Sequence, residues 1–174
     1  MSYTVEQIGA ERFAQVQEAL AEVLWACVQD HASVGFILPF MRNEALAFFT
    51  GTIAPAVASG GRVLFVARDS SRVLGTVQLV VDTPANQPHR AEISKLLVHP
   101  KARRRGVARA LMAAAEAEAR TRGKGLLTLD TRTGDSAEPL YASLGFQVAG
   151  VIPGYCRAPE SERLDGTTYM YKAL

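Results

Sequence analysis

Cysteine and histidine are scarce in this sequence. Cys27 and Cys156 are the two cysteines of 174 residues, and the three histidines are scattered. Two distant thiols make no disulfide framework and suit a reducing compartment. No Cys/His pair has the close spacing of a zinc site, so no metal is expected. An excess of one charge is missing as well: the formal net charge is +2. A dedicated nucleic-acid binder carries a strong basic surplus, so nucleic acid is not an expected partner. No apolar run approaches membrane-spanning length, and the polar opening MSYTVEQIGAERF has no apolar leader core. The expectation is a cytoplasmic protein with no membrane partner. Repeats and a dividing linker are also absent, which leaves residues 1–174 as one expected domain, long enough to bury a core.

What is present is a patterned α/β chain. Phe13, Val16, Leu20, Val23, Leu24 and Cys27 recur at threes and fours, which predicts an amphipathic helix from Glu11 to about Asp30. A second helix is expected over Arg42 to Ala58, stopped by Gly60-Gly61. RVLFVAR and RVLGTVQLVVD, separated by DSS, predict an antiparallel hairpin, and AEISKLLV a central strand. The alanine-rich GVARALMAAAEAEARTRG follows as a helix with Gly123 as its stop. GLLTLDTR then predicts a buried strand, DSAEPLYASLG a short helix, and FQVAGV and TTYMYKAL two more strands. The polar PGYCRAPESERLDG is expected to be a loop able to cover a site. The order gives a mixed α/β domain with a strand, a helix and another strand at its centre.

RRRGVA, Arg103 to Ala108, is the unusual stretch: three consecutive arginines ending at a glycine, where a strand turns into a helix. First-turn N–H groups lack intrahelical partners and the helix dipole favours negative charge, so such a turn holds an anion. Gly106 has no Cβ to obstruct a bulky anion, Ala108 is nearly as small, and the arginines neutralise charge. A pyrophosphate fits. The spacing is neither G-x-G-x-x-G nor a phosphate loop ending in Gly-Lys-Ser/Thr. The plain alternative is a charged, solvated turn.

Arg-x-x-Gly-x-Ala, with LLVHP before it and ALM after it, resembles the acetyl-CoA-binding motif of the Gcn5-related N-acetyltransferases (GNAT). AEPLYASLGF resembles that family's second signature at Ala137, Leu140, Tyr141, Leu144, Gly145 and Phe146. The likeness runs from about Glu92 to Phe146. LLTLDT, PGYC and the Tyr-x-Lys-x-Leu ending further resemble tabtoxin-resistance acetyltransferases, which act on small amine-bearing toxins. The resemblance implies the acyl-CoA N-acyltransferase fold: a mixed, mostly antiparallel sheet of about six to seven strands flanked by about four helices.

It also implies roles. The pantetheine arm of acetyl-CoA, the acyl donor, would lie along Leu96, Leu97 and Val98, with a backbone N–H of Leu97 or Val98 polarising the acetyl carbonyl. Its diphosphate would rest on Arg103, Arg104, Arg105, Gly106, Val107, Ala108 and Arg109. Tyr141 is the implied general acid, since a phenol stays protonated at neutral pH and can serve the departing thiolate; its ordinary alternative is a packed core tyrosine. Glu92 stands eleven residues before Arg103, the spacing of the glutamate base in histone-acetylating relatives. Asp130, inside the apolar LLTLDT, is the second candidate base or a holder of the substrate ammonium.

One position departs from the pattern: many relatives have an asparagine seven residues before the tyrosine, and Gly134 stands there, with Asp135 and Ser136 as possible substitutes. Cys156 is expected to be inert. His31 and Ser33 are candidate linings of the acceptor pocket.

The expected function is transfer of acetyl from acetyl-CoA to an amine of a small molecule, such as a toxin or antibiotic, by direct attack in a ternary complex. Its alternatives are a protein or peptide acetyltransferase of the same fold and an idle acyl-CoA-binding module; a basic nucleic-acid binder comes last. Both monomer and homodimer are open.

Overall fold

The computed structural model describes residues 3–174. The elements are β1 (Thr4–Ile8), α1 (Ala10–Phe13), α2 (Gln17–Gln29), α3 (Arg42–Phe48), a π turn (Phe49–Ile53) and α4 (Ala54–Ala58). Then come β2 (Arg62–Arg68), β3 (Val73–Val80), β4 (Arg90–Val98), a 3-10 turn (Pro100–Ala102), α5 (Val107–Thr121), β5 (Leu126–Arg132), α6 (Ala137–Ser143), β6 (Gln147–Arg157) and β7 (Leu164–Ala173). The strands form one seven-stranded sheet, in the order β1-β2-β3-β4-β5-β7-β6. Only β4 and β5 run parallel. This is the mixed, mostly antiparallel sheet that the family resemblance implied.

Two apolar layers cover the sheet's faces. On one, Val107, Leu111, Met112, Ala115 and Ala119 fall on a single stripe of α5 and pack on Val63, Phe65, Val77, Leu79, Ala91 and Ile93. On the other, Leu20, Val23, Leu24 and Cys27 of α2 join Ala45, Phe49 and Ile53 over Leu64, Val66 and Leu97. Alternate residues of β2 and β3 therefore enter different cores, which is why these strands read as unbroken apolar runs.

The structure differs from the sequence expectations in three places. The polar N-terminal stretch contributes an edge strand, β1, of which only Ile8 is buried, too little for an alternating signal. The two expected long helices are interrupted: the first between Phe13 and Gln17, the second by the π turn, where Thr50 Oγ1 bonds the Leu46 carbonyl at 3.0 Å. The third is the polar 153–166 segment, most of which is ladder. Cys156 pairs with Asp165 and Arg157 with Leu164, leaving residues 158–163 as the connection. Pro153 and Gly154 fall within a register shift on this edge strand, the setting in which a sheet tolerates proline. Among the described residues no helix is long and apolar enough to cross a membrane.

One irregularity positions the site. Thr76 pairs with Leu97 but Gln78 with Ser94, so Lys95 and Leu96 together oppose Val77, and Lys95 takes a left-handed φ of 50°. This bulge bends β4 away from β5. The two parallel strands are paired only over Arg90–Glu92 and Leu126–Thr128, whereas β5 stays paired with β7 as far as Arg132. Beyond Glu92 a gap opens in mid-sheet.

Candidate active site

The β4 edge of the gap carries backbone groups. The His99 N–H bonds the Leu74 carbonyl of β3 at 2.9 Å, so by strand alternation the N–H and carbonyl of Val98 point the other way, toward the gap. Its carbonyl accepts the Cys27 thiol at 3.4 Å. Leu97 is turned to β3, and its side chain is buried in the α2-side core, while Leu96 packs on the α5 side. Gly75 backs this edge: a Cβ there would lie 2.5 Å from the Leu97 oxygen. Burial pushes the Cys27 thiol up to about 11, against the opposing pull of Arg103.

At the end of this edge stands the N-terminus of α5. Gly106, with φ 80°, is its N-cap and supplies no side-chain bond to the first-turn N–H groups. The expected anion-binding run divides on inspection. Arg103 is ion-paired with Asp30 at the end of α2, and Arg109 Nη2 bonds Ser143 Oγ at 2.8 Å. Val107 is core, Ala108 half-buried and Arg104 exposed. Arg105 is half-buried with its Nη2 sealed from water and without a partner, a donor that needs an acceptor.

Tyr141, on α6, follows β5 in the chain and lies on the α5 side of the sheet. It is 6% exposed, packs in the α5-side core and meets the Phe146 ring edge-on at 5.9 Å between centroids. Burial drives its hydroxyl well above the ordinary phenol range, and the charges of Asp130 and Asp135 add to this. It is protonated at any physiological pH.

Glu92 and Asp130 emerge on the opposite, α2-side face. Glu92 is the register partner of Thr128, and Asp130 follows two residues later on β5. Glu92 is half-exposed, 3.6 Å from Arg90 Nη1. Asp130 is exposed: Leu127 and Leu129 point inward, while Asp130 takes the alternate, open face. Beside it stands its β7 partner Tyr169, whose hydroxyl is 2.9 Å from that of Tyr155. That bond, then slight burial and the nearby negative groups, pushes Tyr169 up to about 12.

Three side chains that sequence reasoning missed complete this face: Arg62, Gln78 and Lys95. Lys95 was visible as the one charge within the apolar ISKLLV, but Arg62 and Gln78 come from strands that read as plain scaffold. Two shallow surface hollows, one at Tyr3 and Arg68 and one at Arg109 and Glu116, lie away from this face.

Several contacts join the α2–α3 loop to the β6–β7 hairpin. Ser33 Oγ is 3.6 Å from Cys156 Sγ, the Leu38 N–H bonds the Pro159 carbonyl at 2.8 Å, and His31 Nδ1 is 3.8 Å from Glu160. Arg132 Nη1 bonds the His31 carbonyl at 3.3 Å. His31 and Ser33 thus tie the two segments together.

A family model described as the acetyltransferase (GNAT) family matches residues 18–146. The chain belongs to the GNAT family. An uncharacterized N-acetyltransferase of the hisH–hisA intergenic region in Azospirillum brasilense is 30% identical over 138 residues, 78% of this chain and 79% of that one. The yncA acetyltransferase from Salmonella typhimurium, solved with its cofactor acetyl-CoA, superposes with a TM-score of 0.75 at 20% identity, over 100% of this chain and 95% of that one. The ribosomal-protein-S18-alanine N-acetyltransferase from Escherichia coli gives 0.71 at 19% identity, over 99% and 94%. These solved structures share the fold.

In this GNAT chain the residues at and after the family's asparagine position make local bonds. Gly134 gives its N–H to Glu138 Oε2 at 2.8 Å. The Asp135 carboxylate accepts from the Ser136 N–H at 2.6 Å, from the Ser136 hydroxyl at 3.3 Å and from Arg132 at 3.2 Å. Cys156 is half-buried beside Ser33. The match ends at Phe146, so β6 and β7, which carry Tyr155 and Tyr169, lie outside it.

Proposed function

We propose that the chain, acting as a single domain, transfers the acetyl group of acetyl-CoA to the amine of a small molecule by direct attack in a ternary complex. The observation that carries this is the gap between β4 and β5, with Tyr141 in the core on the α5 side of the sheet and Glu92 and Asp130 on the opposite face. The residues fit the donor. Arg105 holds an unsatisfied buried Nη2, the α5 N-terminus is uncapped by any side chain, and β4 turns a backbone edge to the gap.

Bound acetyl-CoA supplies a thioester carbonyl open to attack and a thiolate able to leave. The chain's own residues do the rest. The Val98 N–H, turned to the gap, is the donor for the carbonyl oxygen as that oxygen gains charge, and is better oriented for this than the Leu97 N–H. The Tyr141 hydroxyl hydrogen-bonds the departing sulfur and gives up its proton there. Glu92 or Asp130 takes the amine proton, directly or through water. Arg104 and Arg105 neutralise the diphosphate, and Gly106 leaves it room, while Arg103 and Arg109 brace the turn from α2 and α6.

The ties between the α2–α3 loop and the β6–β7 hairpin support a small acceptor over a protein segment, on the reading that they flank the acceptor side. The likeness to tabtoxin-resistance enzymes draws no support from the relatives described above, so a toxin remains one small amine among others. Thiol release from acetyl-CoA, measured against amino acids, polyamines, aminoglycosides and short peptides, tests the function. Release dependent on a small amine supports it, and release dependent only on peptides assigns the chain to protein acetylation. Gly106→Glu places bulk and negative charge at the α5 N-terminus, and the expected result is loss of acetyl-CoA binding by calorimetry; retained affinity would remove the diphosphate from that turn.

A further inference from the structure

The α2-side face of the gap holds donors that nothing in the chain satisfies. Gln78 is fully buried on β3, and its Oε1 accepts from Arg62 Nη1, which fixes the orientation of the amide. Its Nε2 is therefore a buried donor, and it has no partner. Arg62 is half-buried at the start of β2. Lys95 stands on the β4 bulge in left-handed backbone, a conformation that lysine rarely adopts and that persists where the surrounding fold enforces it.

Among the described residues the Lys95 ammonium has neither an ion pair nor a hydrogen bond. Near it are the Phe48 ring, 5.9 Å away at the centroid, and Gly35, where a Cβ would lie 3.9 Å from Nζ. Burial first, then the Arg62 charge, lowers its affinity for a proton, against the pull of Asp130 and Glu92. One face thus carries two cations and an unpaired amide donor near the bulge, with two carboxylates, Glu92 and Asp130, beside them. No carboxylate comes within ion-pairing distance of Arg62 or Lys95 among the described residues.

Resting on the acetyltransferase reading above, we propose that Lys95, Arg62 and Gln78 Nε2 bind a carboxylate of the acceptor, so that the substrate is amino-acid-like, not a simple amine. A carboxylate has two oxygens and about four acceptor sites, enough for an ammonium, a guanidinium and an amide N–H together. The acceptor's ammonium then falls to the side of Glu92 and Asp130, which hold it and take its proton. A zwitterion matches the charge pattern of the face; a polyamine would set positive charge against Arg62 and Lys95.

The test compares each of the twenty amino acids with its carboxamide and its decarboxylated amine, using thiol release at saturating acetyl-CoA. Calorimetry of acetyl-CoA alone runs beside it. At least one amino acid is expected to exceed its amide and amine by about tenfold or more in kcat/KM, as when a site built to bond a group meets an analogue lacking it. In Lys95→Met that ratio should fall to near one, chiefly through KM, while Lys95→Arg keeps part of it and acetyl-CoA affinity is unchanged in both. Amides or amines used as well as acids, or a ratio untouched by Lys95→Met, overturns the carboxylate subsite. So does normal acetyl-CoA binding with no amino acid acetylated, which leaves the donor reading standing. Failure to bind acetyl-CoA at all removes both.

Discussion

The two arms of the sheet are built differently. β2 and β3 are buried on both faces, between α5 on one side and α2 and α3 on the other. β6, at the far edge, is exposed along nearly its whole length, Val148, Val151, Ile152 and Tyr155 included. The first arm is held by removal of apolar surface from water. The second is held by ladder hydrogen bonds and by polar ties such as Lys172 Nζ to Glu116 Oε2 at 2.6 Å and to the Leu144 carbonyl at 2.7 Å. Burial is thus concentrated in β2 and β3, and the far edge of the sheet is the more open arm.

Leu64→Ala breaks the buried arm most directly. This side chain is 0% exposed, and its truncation should cost about 2–5 kcal/mol in chemical denaturation. A loss below 1 kcal/mol would mean that this arm is not the scaffold. Tyr141→Phe acts at the border: the ring and its packing stay, and only the hydroxyl goes. Turnover should fall by about 100-fold with acetyl-CoA affinity unchanged, because the hydroxyl acts on charge that appears during transfer. Equal loss of affinity and turnover would reduce Tyr141 to a packing residue.

Lys172→Met removes a tie of the open arm and should cost about 1–2 kcal/mol at neutral pH. Burial works against the Glu116 carboxylate, but Lys172 and Arg120 outweigh it and hold the group below its usual range. A depressed folded-state value stabilises above the ordinary carboxylate pKa and is lost as pH falls through the folded value. The difference between wild type and Lys172→Met should therefore narrow below about pH 4. A gap in melting temperature that widens on acidification contradicts this. Val148→Ala, on the exposed strand, should change stability by no more than about 0.5 kcal/mol.

Local chemistry was legible in the sequence; its convergence was not. Gly106 announced the helix start, the apolar stripe of α5 its buried face, and AEPLYASLGF the tyrosine. The bulge at Lys95 is set by β3 pairing across sixteen intervening residues, 79 to 94, and no local pattern states it. Arg62 and Gln78 looked like ordinary members of a hairpin because a strand pattern does not show that they bond each other across it. The exposure of Asp130 was not legible, because an apolar run does not say which of its alternate residues face water. Pro153 and Gly154 concealed a ladder, since a sheet edge accommodates them and a central strand does not.

The gap also gives β4 two clocks. Amide hydrogens locked against β3 exchange with solvent only when the sheet itself opens, whereas the Val98 amide, facing the gap, needs no more than a local fluctuation. Neighbouring residues of one strand thus differ in protection by the free energy of opening the arm, and a ligand seated in the gap would slow the Val98 amide first.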